Sequence, residues 1–157
     1  MPDSLHSIVE RELSKHFSKE VEISATIPIG GGCINHGMKV NTNVGSFFLK
    51  YNDNVPNDLF EREAEGLTAL REASTELIVP QVIVATQVSQ NQSGMIVLEF
   101  LEVNRENQHH QDEKLGIGLA QLHQVTHAQF GFIHDNYCGK TSQDNMWNEN
   151  WIEFYGQ

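Results

Sequence analysis

Three consecutive glycines and a lysine on a following strand are the residues whose types and spacing best suit phosphate chemistry. Gly30, Gly31 and Gly32 reach positive φ easily, and without side chains they let backbone N–H groups approach an anion closely. Lys50 stands near the end of the run SFFLKYN. A phosphate-covering loop followed by a strand that presents a lysine is typical of nucleotide-binding folds. A glycine cluster alone is more typical of a plain hairpin turn, so the prediction depends on the lysine.

Alternating apolar residues predict the strands that would hold this loop and the lysine. Phe47 and Leu49 would share one face of the third strand, and Lys50 would point to the opposite face. The predicted strands are residues 21–29, 36–42 and 46–52, with a turn at 43–45.

An amphipathic helix is predicted over residues 58–73, because apolar side chains recur there at spacings of three and four. Glu63 lies at the edge of this apolar stripe, from which it could pair with Lys50 and aim the ammonium at phosphate oxygens. Without the lysine and the glycines, Glu63 would be interpreted as an ordinary exposed carboxylate. Glu61 and Glu65 are predicted to be solvated.

Two further apolar runs predict strands at residues 78–88 and 94–103. The second run passes through residues 99–101 into a polar stretch with little pattern. From this segment alone, a buried central strand that ends in a loop is the simplest interpretation.

In their order along the chain, these motifs resemble the fructosamine kinase (ketosamine-3-kinase) family. The resemblance runs from about Gly30 to the last residue, and it implies an α+β, protein-kinase-like fold. That fold has an N-terminal lobe with a twisted antiparallel sheet of about five strands and a C-type helix, followed by the first helices of a truncated C-terminal lobe. The matching strings are GGCIN, GSFFLKYN, LFEREAEGLTAL, VLEFLE, LGIGLAQLHQ, FGFIHDNYCG and QDNMWNENWIEFYGQ.

The resemblance also implies which residues would bind ATP. Lys50 would be the phosphate-binding lysine, and Glu63 would be its partner on the helix. Members of the family phosphorylate the 3-hydroxyl of a ketosamine, free or attached to a protein, in deglycation repair, and they use ATP with Mg²⁺. The remaining implied residues are those of the nucleotide loop, Gly30, Gly31, Gly32, Cys33, Ile34 and Asn35, and those of an adenine-binding hinge, Glu99, Phe100 and Leu101.

One part of the family's pattern is not found in these 157 residues. A catalytic loop of HGD type and a further Asp for Mg²⁺ would be required. His134 and Asp135 resemble such a loop, but Lys140 stands where the kinase loop has Asn, so we interpret both as ordinary loop residues. We therefore expect the catalytic Asp and the Mg²⁺ ligands downstream of Gln157, and a chain that is inactive alone.

The pattern divides the chain into two expected regions. Residues 1–103 would form the nucleotide-binding lobe, with an N-terminal helix at about 3–17. Residues 104–157 would hold a polar linker at 104–112 and the beginning of an incomplete helical lobe. Helices are predicted over 112–127 and around 145–156. The aromatic residues of the last helix are expected to be core residues whose missing partners leave an apolar patch that favours self-association. They are Trp147, Trp151, Phe154 and Tyr155, with Met146 as an alternative to Trp147.

Composition limits the classes of partner. Ten Lys and Arg residues against 21 Asp and Glu give a formal net charge of −11. Such a charge disfavours binding to nucleic acid or to an anionic membrane surface. The sequence contains no apolar run of about 18 residues and nothing that resembles a signal peptide, so we expect a cytoplasmic protein.

Cys33 is a redox candidate because it lies inside the glycine loop. Backbone N–H dipoles there would favour the thiolate, and oxidation would block the phosphate site reversibly. The alternative is that Cys33 is an inert small residue.

The histidines do not predict a metal site. His123 and His127 are spaced to share a helix face, but Gln124 stands where the zinc-protease motif requires Glu. His109 and His110 lie in the polar stretch, and we expect both pairs to be solvated.

Three functions remain open. The first is a ketosamine kinase of which this chain is the N-terminal portion. The second is a phosphotransferase acting on aminoglycosides or choline-like alcohols, which GGCIN and NENWIEF fit less well. The third is a non-catalytic fragment that binds nucleotide without turnover, because positioning alone omits most of the electrostatic catalysis.

Overall fold

The structure is a computed structural model that describes residues 4–31, 34–73, 76–89, 92–102 and 108–156. Four helices and seven strands follow one another along the chain. Their order is α1 (Leu5–Phe17), β1 (Ile23–Ile29), β2 (His36–Thr42), β3 (Gly45–Asn52), α2 (Leu59–Ala73), β4 (Val82–Thr86), β5 (Gly94–Glu99), α3 (Gln108–Leu122), β6 (Asn136–Cys138), β7 (Thr141–Gln143) and α4 (Trp151–Tyr155).

Five of the strands form one antiparallel sheet in the order β1-β2-β3-β5-β4. This confirms the antiparallel sheet of about five strands that the family resemblance implies. β3 lies in the middle, where Lys50 is paired with Gly37 of β2 on one side and with Ile96 of β5 on the other. A central strand is held by two neighbours, so Lys50 has a well-fixed backbone.

The first helix covers one face of the sheet. The Ser4 side chain caps α1 by accepting a hydrogen bond from the Ser7 N–H. Val9 and Leu13 of this helix are fully buried, and they belong to one core cluster with Leu49 of β3. Val9 and Leu13 therefore lie on the face of α1 that packs against the sheet.

The second helix covers the opposite face. Leu59 and Phe60 at the start of α2 form a separate core cluster with Ile96 and Leu98 of β5. Successive side chains of a strand alternate between the two faces, so Leu49 faces α1 while Lys50 faces α2. The apolar side chain of Leu49 therefore lies on the α1 side of β3, and the charged side chain of Lys50 lies on the α2 side.

The third helix begins and ends earlier than predicted. It spans Gln108–Leu122 instead of 112–127, so part of the expected linker is helical. The helix ends in a 3₁₀-type turn, in which each hydrogen bond spans three residues. The two bonds are Gln124 N–H to the Gln121 carbonyl and Val125 N–H to the Leu122 carbonyl. His123 and His127 consequently do not share a helix face.

The C-terminal segment also departs from the prediction. Only Trp151–Tyr155 is helical, with Asn150 as N-cap, and Asn148 pairs with Phe130 in an isolated bridge. Among the side chains expected to be core, Met146 is 72% exposed, Trp151 50% and Tyr155 76%. The Trp151 ring stacks on Tyr155, with centroids 5.0 Å apart, and meets the Phe130 ring edge to face, with centroids 5.2 Å apart.

Within the described ranges, no helix combines the length and the apolar character that a membrane crossing requires.

Candidate phosphate-binding site

An ion pair between β3 and α2 lies at the centre of the site. Lys50 Nζ is 2.7 Å and 2.8 Å from the two carboxylate oxygens of Glu63. Both side chains are 28% exposed, so the pair is partly shielded from water but still open to a ligand. The contact predicted from the lysine on the strand and the glutamate on the helix is therefore present.

The glycine loop leaves open space where side chains would otherwise stand. Gly31 has φ of +115°, a conformation that favours glycine, and among the described residues that are not its chain neighbours no atom lies within 4 Å of the Cβ position of Gly30 or of Gly31. Gly32 and Cys33 lie outside the described residues. Their expected part in the loop and the redox hypothesis for Cys33 stay predictions.

A cavity of about 310 Å³ joins the loop to the lysine. A second cavity of about 390 Å³ continues from Lys50 to the α2 side, where Glu63 and Tyr137 form its wall. Asn35, Lys50 and Gly139 border both cavities. The first cavity is lined by Ile29, Gly30, Ile34, Asn35, Gly37, Phe48, Lys50 and Gly139.

Asn52 anchors the returning arm of the glycine loop, a role that the sequence analysis missed. Its Nδ2 donates to the Ile34 carbonyl at 2.6 Å and to Asn35 Oδ1 at 3.1 Å. Asn52 is buried, with 7% exposure, and it lies two residues after Lys50 on the same face of β3. This spacing of two from the lysine was the signal that could have identified it.

Phe48 is a second residue that the sequence analysis missed. It lies two residues before Lys50 on the same face and lines the first cavity. A Cβ on Gly37 would stand 3.2 Å from the Phe48 ring, so a glycine on β2 makes room for that ring. Phe48 offers the cavity an apolar, aromatic wall.

The expected hinge residues do not line either cavity. The Glu99 N–H donates to the Gln81 carbonyl at 2.9 Å, so this donor is already in use. Lys39 Nζ lies 4.0 Å from the centroid of the Phe100 ring. Lys39 is also the cross-strand partner of Phe48, which lines the first cavity. Lys39 therefore lies between the hinge residue Phe100 and a residue of the cavity wall.

A polar network joins the β6–β7 hairpin to α2. The Tyr137 hydroxyl donates to Asp58 Oδ1 at 2.7 Å, and Arg62 bonds both Asp58 and Glu65. His134 Nδ1 lies 3.0 Å from Glu65 Oε2. Glu65 is thus bound to two partners, so the prediction that it is merely solvated is wrong. Glu61 likewise accepts from Gln87 Nε2 at 2.7 Å.

The network shifts three pKa values. The hydrogen bond from Tyr137 lowers the pKa of Asp58, although burial opposes this, and the same bond raises the pKa of Tyr137. Burial by itself would lower the pKa of Arg62, but its bond to Asp58 and the charge of Glu65 more than offset that effect and raise it. At neutral pH Asp58 is therefore a carboxylate, and Tyr137 keeps its proton.

His134 and Asp135 are loop residues, as interpreted from the sequence. Asp135 Oδ1 accepts from the Asn145 N–H at 2.9 Å, which ties this loop to the C-terminal segment. His127 lies against Trp147, with ring centroids 4.3 Å apart. Among the residues that the structure describes, no three His, Cys, Asp or Glu side chains are grouped as a metal site would require.

A sequence model of the fructosamine kinase family matches residues 5–157. The chain is 39% identical over 143 residues to a chloroplastic protein-ribulosamine 3-kinase of Arabidopsis thaliana. This alignment covers 88% of this chain and 42% of the relative. It is 34% identical over 150 residues to a probable ketoamine kinase of Vibrio parahaemolyticus, which covers 95% of this chain and 51% of the relative. The chain thus spans about half the length of the curated relatives it matches.

Two solved structures have the same fold. A candidate fructosamine-3-kinase from Haemophilus somnus superposes with a TM-score of 0.83 at 24% identity, over 98% of this chain and 53% of that one. One from Thermobifida fusca superposes with a TM-score of 0.75 at 26% identity, over 98% and 51%. The kinase-like fold class predicted from the sequence is therefore confirmed. Because the family's sequence model matches nearly the whole chain, the chain belongs to the fructosamine kinase family.

Proposed function

We propose that this chain binds ATP and forms the nucleotide side of a kinase that phosphorylates ketosamines at the sugar 3-hydroxyl. The observation that carries the proposal is the Lys50–Glu63 ion pair, whose lysine borders the same cavity as Gly30. An ammonium held beside a glycine loop is suited to the α- and β-phosphates of ATP, and phosphoryl transfer is catalysed mainly by positioning and charge. Family membership favours a ketosamine over an aminoglycoside or a choline-like alcohol.

The adenine would lie at the end of β5, with the phosphates on the glycine loop and Lys50. Because the Glu99 N–H is bonded to Gln81, the adenine edge would meet the Glu99 carbonyl and the backbone of Phe100 and Leu101. Phe48 would provide an apolar surface between the two ends of the nucleotide. Ile34 and Asn35 would border the phosphates on the returning arm of the loop.

The substrate proposal rests on the relatives, whose names specify ribulosamine and ketoamine. We propose a ribulosamine or fructosamine, free or on a glycated protein, and deglycation repair as the purpose. No Asp in these 157 residues is followed five positions later by an Asn, the spacing of a kinase catalytic loop. We therefore propose that the chain by itself binds ATP without transferring the γ-phosphate.

Replacing Lys50 tests the nucleotide site. Lys50→Ala removes a charge-assisted contact worth about 1.5–3 kcal/mol, so the Kd for ATP should rise roughly 10- to 100-fold. Calorimetric titration measures this affinity, and circular dichroism should show an unchanged fold, since Lys50 is not a core residue. Lys15→Ala is the matched control, because Lys15 is an exposed lysine on α1, which packs on the other face of the sheet. Equal affinities for Lys50→Ala and Lys15→Ala would refute the site.

We also propose that the exposed apolar surface at the C-terminal end favours association between copies of the chain. Its most exposed members are Ile152, at 79%, and Tyr155, at 76%. Ile133 adds a side chain that is 67% exposed. Contiguous apolar patches of this kind are uncommon on isolated soluble domains.

A further inference from the structure

The β6–β7 hairpin touches α2 close to its N-terminus. The Tyr137 hydroxyl donates to Asp58 Oδ1 at 2.7 Å, one residue before α2 begins. The Tyr137 ring packs against the core cluster that contains Leu59 and Phe60. The hairpin is therefore joined to α2 by both an apolar contact and a charge-assisted hydrogen bond.

The tip of the same hairpin lies against the glycine loop. A Cβ on Gly139 would stand 2.9 Å from Ile34 Cδ1, and the φ of Gly139 is +68°, which favours glycine there. Gly139 also borders both cavities beside Lys50. The hairpin thus contacts both α2 and the glycine loop.

The contacts on α2 lie on either side of Glu63 in the sequence. Asp58 is held by Tyr137, and Glu65 is held by His134 at 3.0 Å. Arg62 connects these two carboxylates, with distances of 3.0 Å to Asp58 and 2.7 Å to Glu65. A helix moves as a rigid element, so fixing these residues also fixes where the Glu63 carboxylate stands.

We propose that Tyr137 is a positioning residue for nucleotide binding, which acts through Asp58 and α2 to hold Glu63 against Lys50. This inference rests on the proposed function, because it needs Lys50 to bind phosphate. The Tyr137 hydroxyl donates to Asp58, so the proposal assigns its effect on a nucleotide to the position of α2 and Glu63 and not to a direct contact. The hairpin would then serve as a bracket that holds α2 at a fixed distance from β3.

A double-mutant cycle on ATP affinity tests the inference. Tyr137→Phe removes only the hydroxyl and keeps the ring, and it should raise the Kd for ATP about fivefold in the wild-type background. In a Glu63→Ala background the same change should have no further effect, since Lys50 has then lost its partner on α2. Tyr155→Phe is the matched control, because Tyr155 is 76% exposed and lies in α4, away from both cavities.

The outcomes separate the inference from the proposed function. Two results would overturn the inference and leave the proposed function standing. In the first, Tyr137→Phe raises the Kd for ATP equally in both backgrounds. In the second, Tyr137→Phe has no effect while Lys50→Ala still weakens binding. A wild-type chain that does not bind ATP overturns the proposed function and the inference with it.

If Tyr137→Phe does not fold, hydrogen exchange on the wild-type chain tests whether the hairpin holds α2 when ATP binds. Peptides that cover residues 136–143 should gain protection when ATP is added, together with peptides from α2. If ATP protects the glycine loop but leaves exchange in the hairpin unchanged, the hairpin does not hold α2 in place for nucleotide binding.

Discussion

Lys50 and Glu63 hold each other at a place where neither is fully solvated. Each is 28% exposed, and both carboxylate oxygens are used. A surface ion pair contributes little to stability, so the pair is better explained by the position it gives the ammonium than by the stability it adds. A phosphate that enters the cavity would find this charge already in place.

The bond between Tyr137 and Asp58 makes stability depend on pH at both ends of the range. Asp58 has a pKa below its ordinary 3.8, so its contribution is present above that value and is lost as the pH falls through the folded pKa. Tyr137 has a pKa above its ordinary 10.0, so its contribution is present below that value and is lost as the pH rises through the folded pKa.

Tyr137→Phe should therefore lower the unfolding free energy by about 1 kcal/mol, a low value because Asp58 is partly exposed. The difference from wild type should be constant between roughly pH 5 and 9 and shrink on either side. Urea unfolding across pH measures it, with Tyr155→Phe as the control. A difference that persists undiminished at acidic and alkaline pH would contradict this explanation.

At the residue scale, the sequence allowed prediction of side chains whose partners follow from a single motif. Lys50 and Glu63 could be paired because a strand lysine and a helix glutamate have one obvious arrangement in such a fold. Tyr137 could not be connected to Asp58, because the two are far apart in sequence and only tertiary packing brings them together. Asn52 was missed because a polar residue on a strand end also fits a plain loop.

At the scale of elements, strong periodicity predicted the sheet and the helices that cover it. β2 was predicted with the bounds found, and β3 starts only one residue earlier than predicted. Both strands are central, and their apolar residues face a buried cluster, so the period of two is well defined. α1 and α2 were predicted for the same reason, since each has one clear apolar stripe.

Prediction was poorer where an element has little to pack against. Leu115 and Ile117 of α3 are 52% and 50% exposed, so apolar spacing alone did not decide where the helix ends. The hairpin of β6 and β7 has three residues in each strand, too few to show a period. The aromatic spacing around α4 suggested a longer helix, but the residues before Asn150 pair with Phe130 instead. Of these elements, the hairpin carries contacts that border the site.

At the scale of the molecule, charge and apolar surface act against each other. The net charge of −11 opposes association, while the exposed side chains of the C-terminal segment favour it. Screening by salt weakens the repulsion and leaves the apolar attraction in place. The balance should therefore shift towards association as ionic strength rises.

Sedimentation velocity over a range of protein concentrations should show association that increases with salt. Ile152→Glu should weaken it, since this change places a charge in the middle of the exposed surface; Ile152 is 79% exposed and not a core residue. Glu149→Gln is the matched surface control. A chain that stays monomeric at every concentration and salt level would show that this surface does not drive self-association.

The account as a whole depends on a triphosphate resting between the glycine loop and Lys50. The most direct test is a crystal structure of the chain with a non-hydrolysable ATP analogue. We predict phosphate oxygens within hydrogen-bond distance of Lys50 Nζ, with the Lys50–Glu63 contact retained and the adenine beside residues 99–101. An analogue bound elsewhere, or Lys50 turned away from the phosphates, would contradict the account.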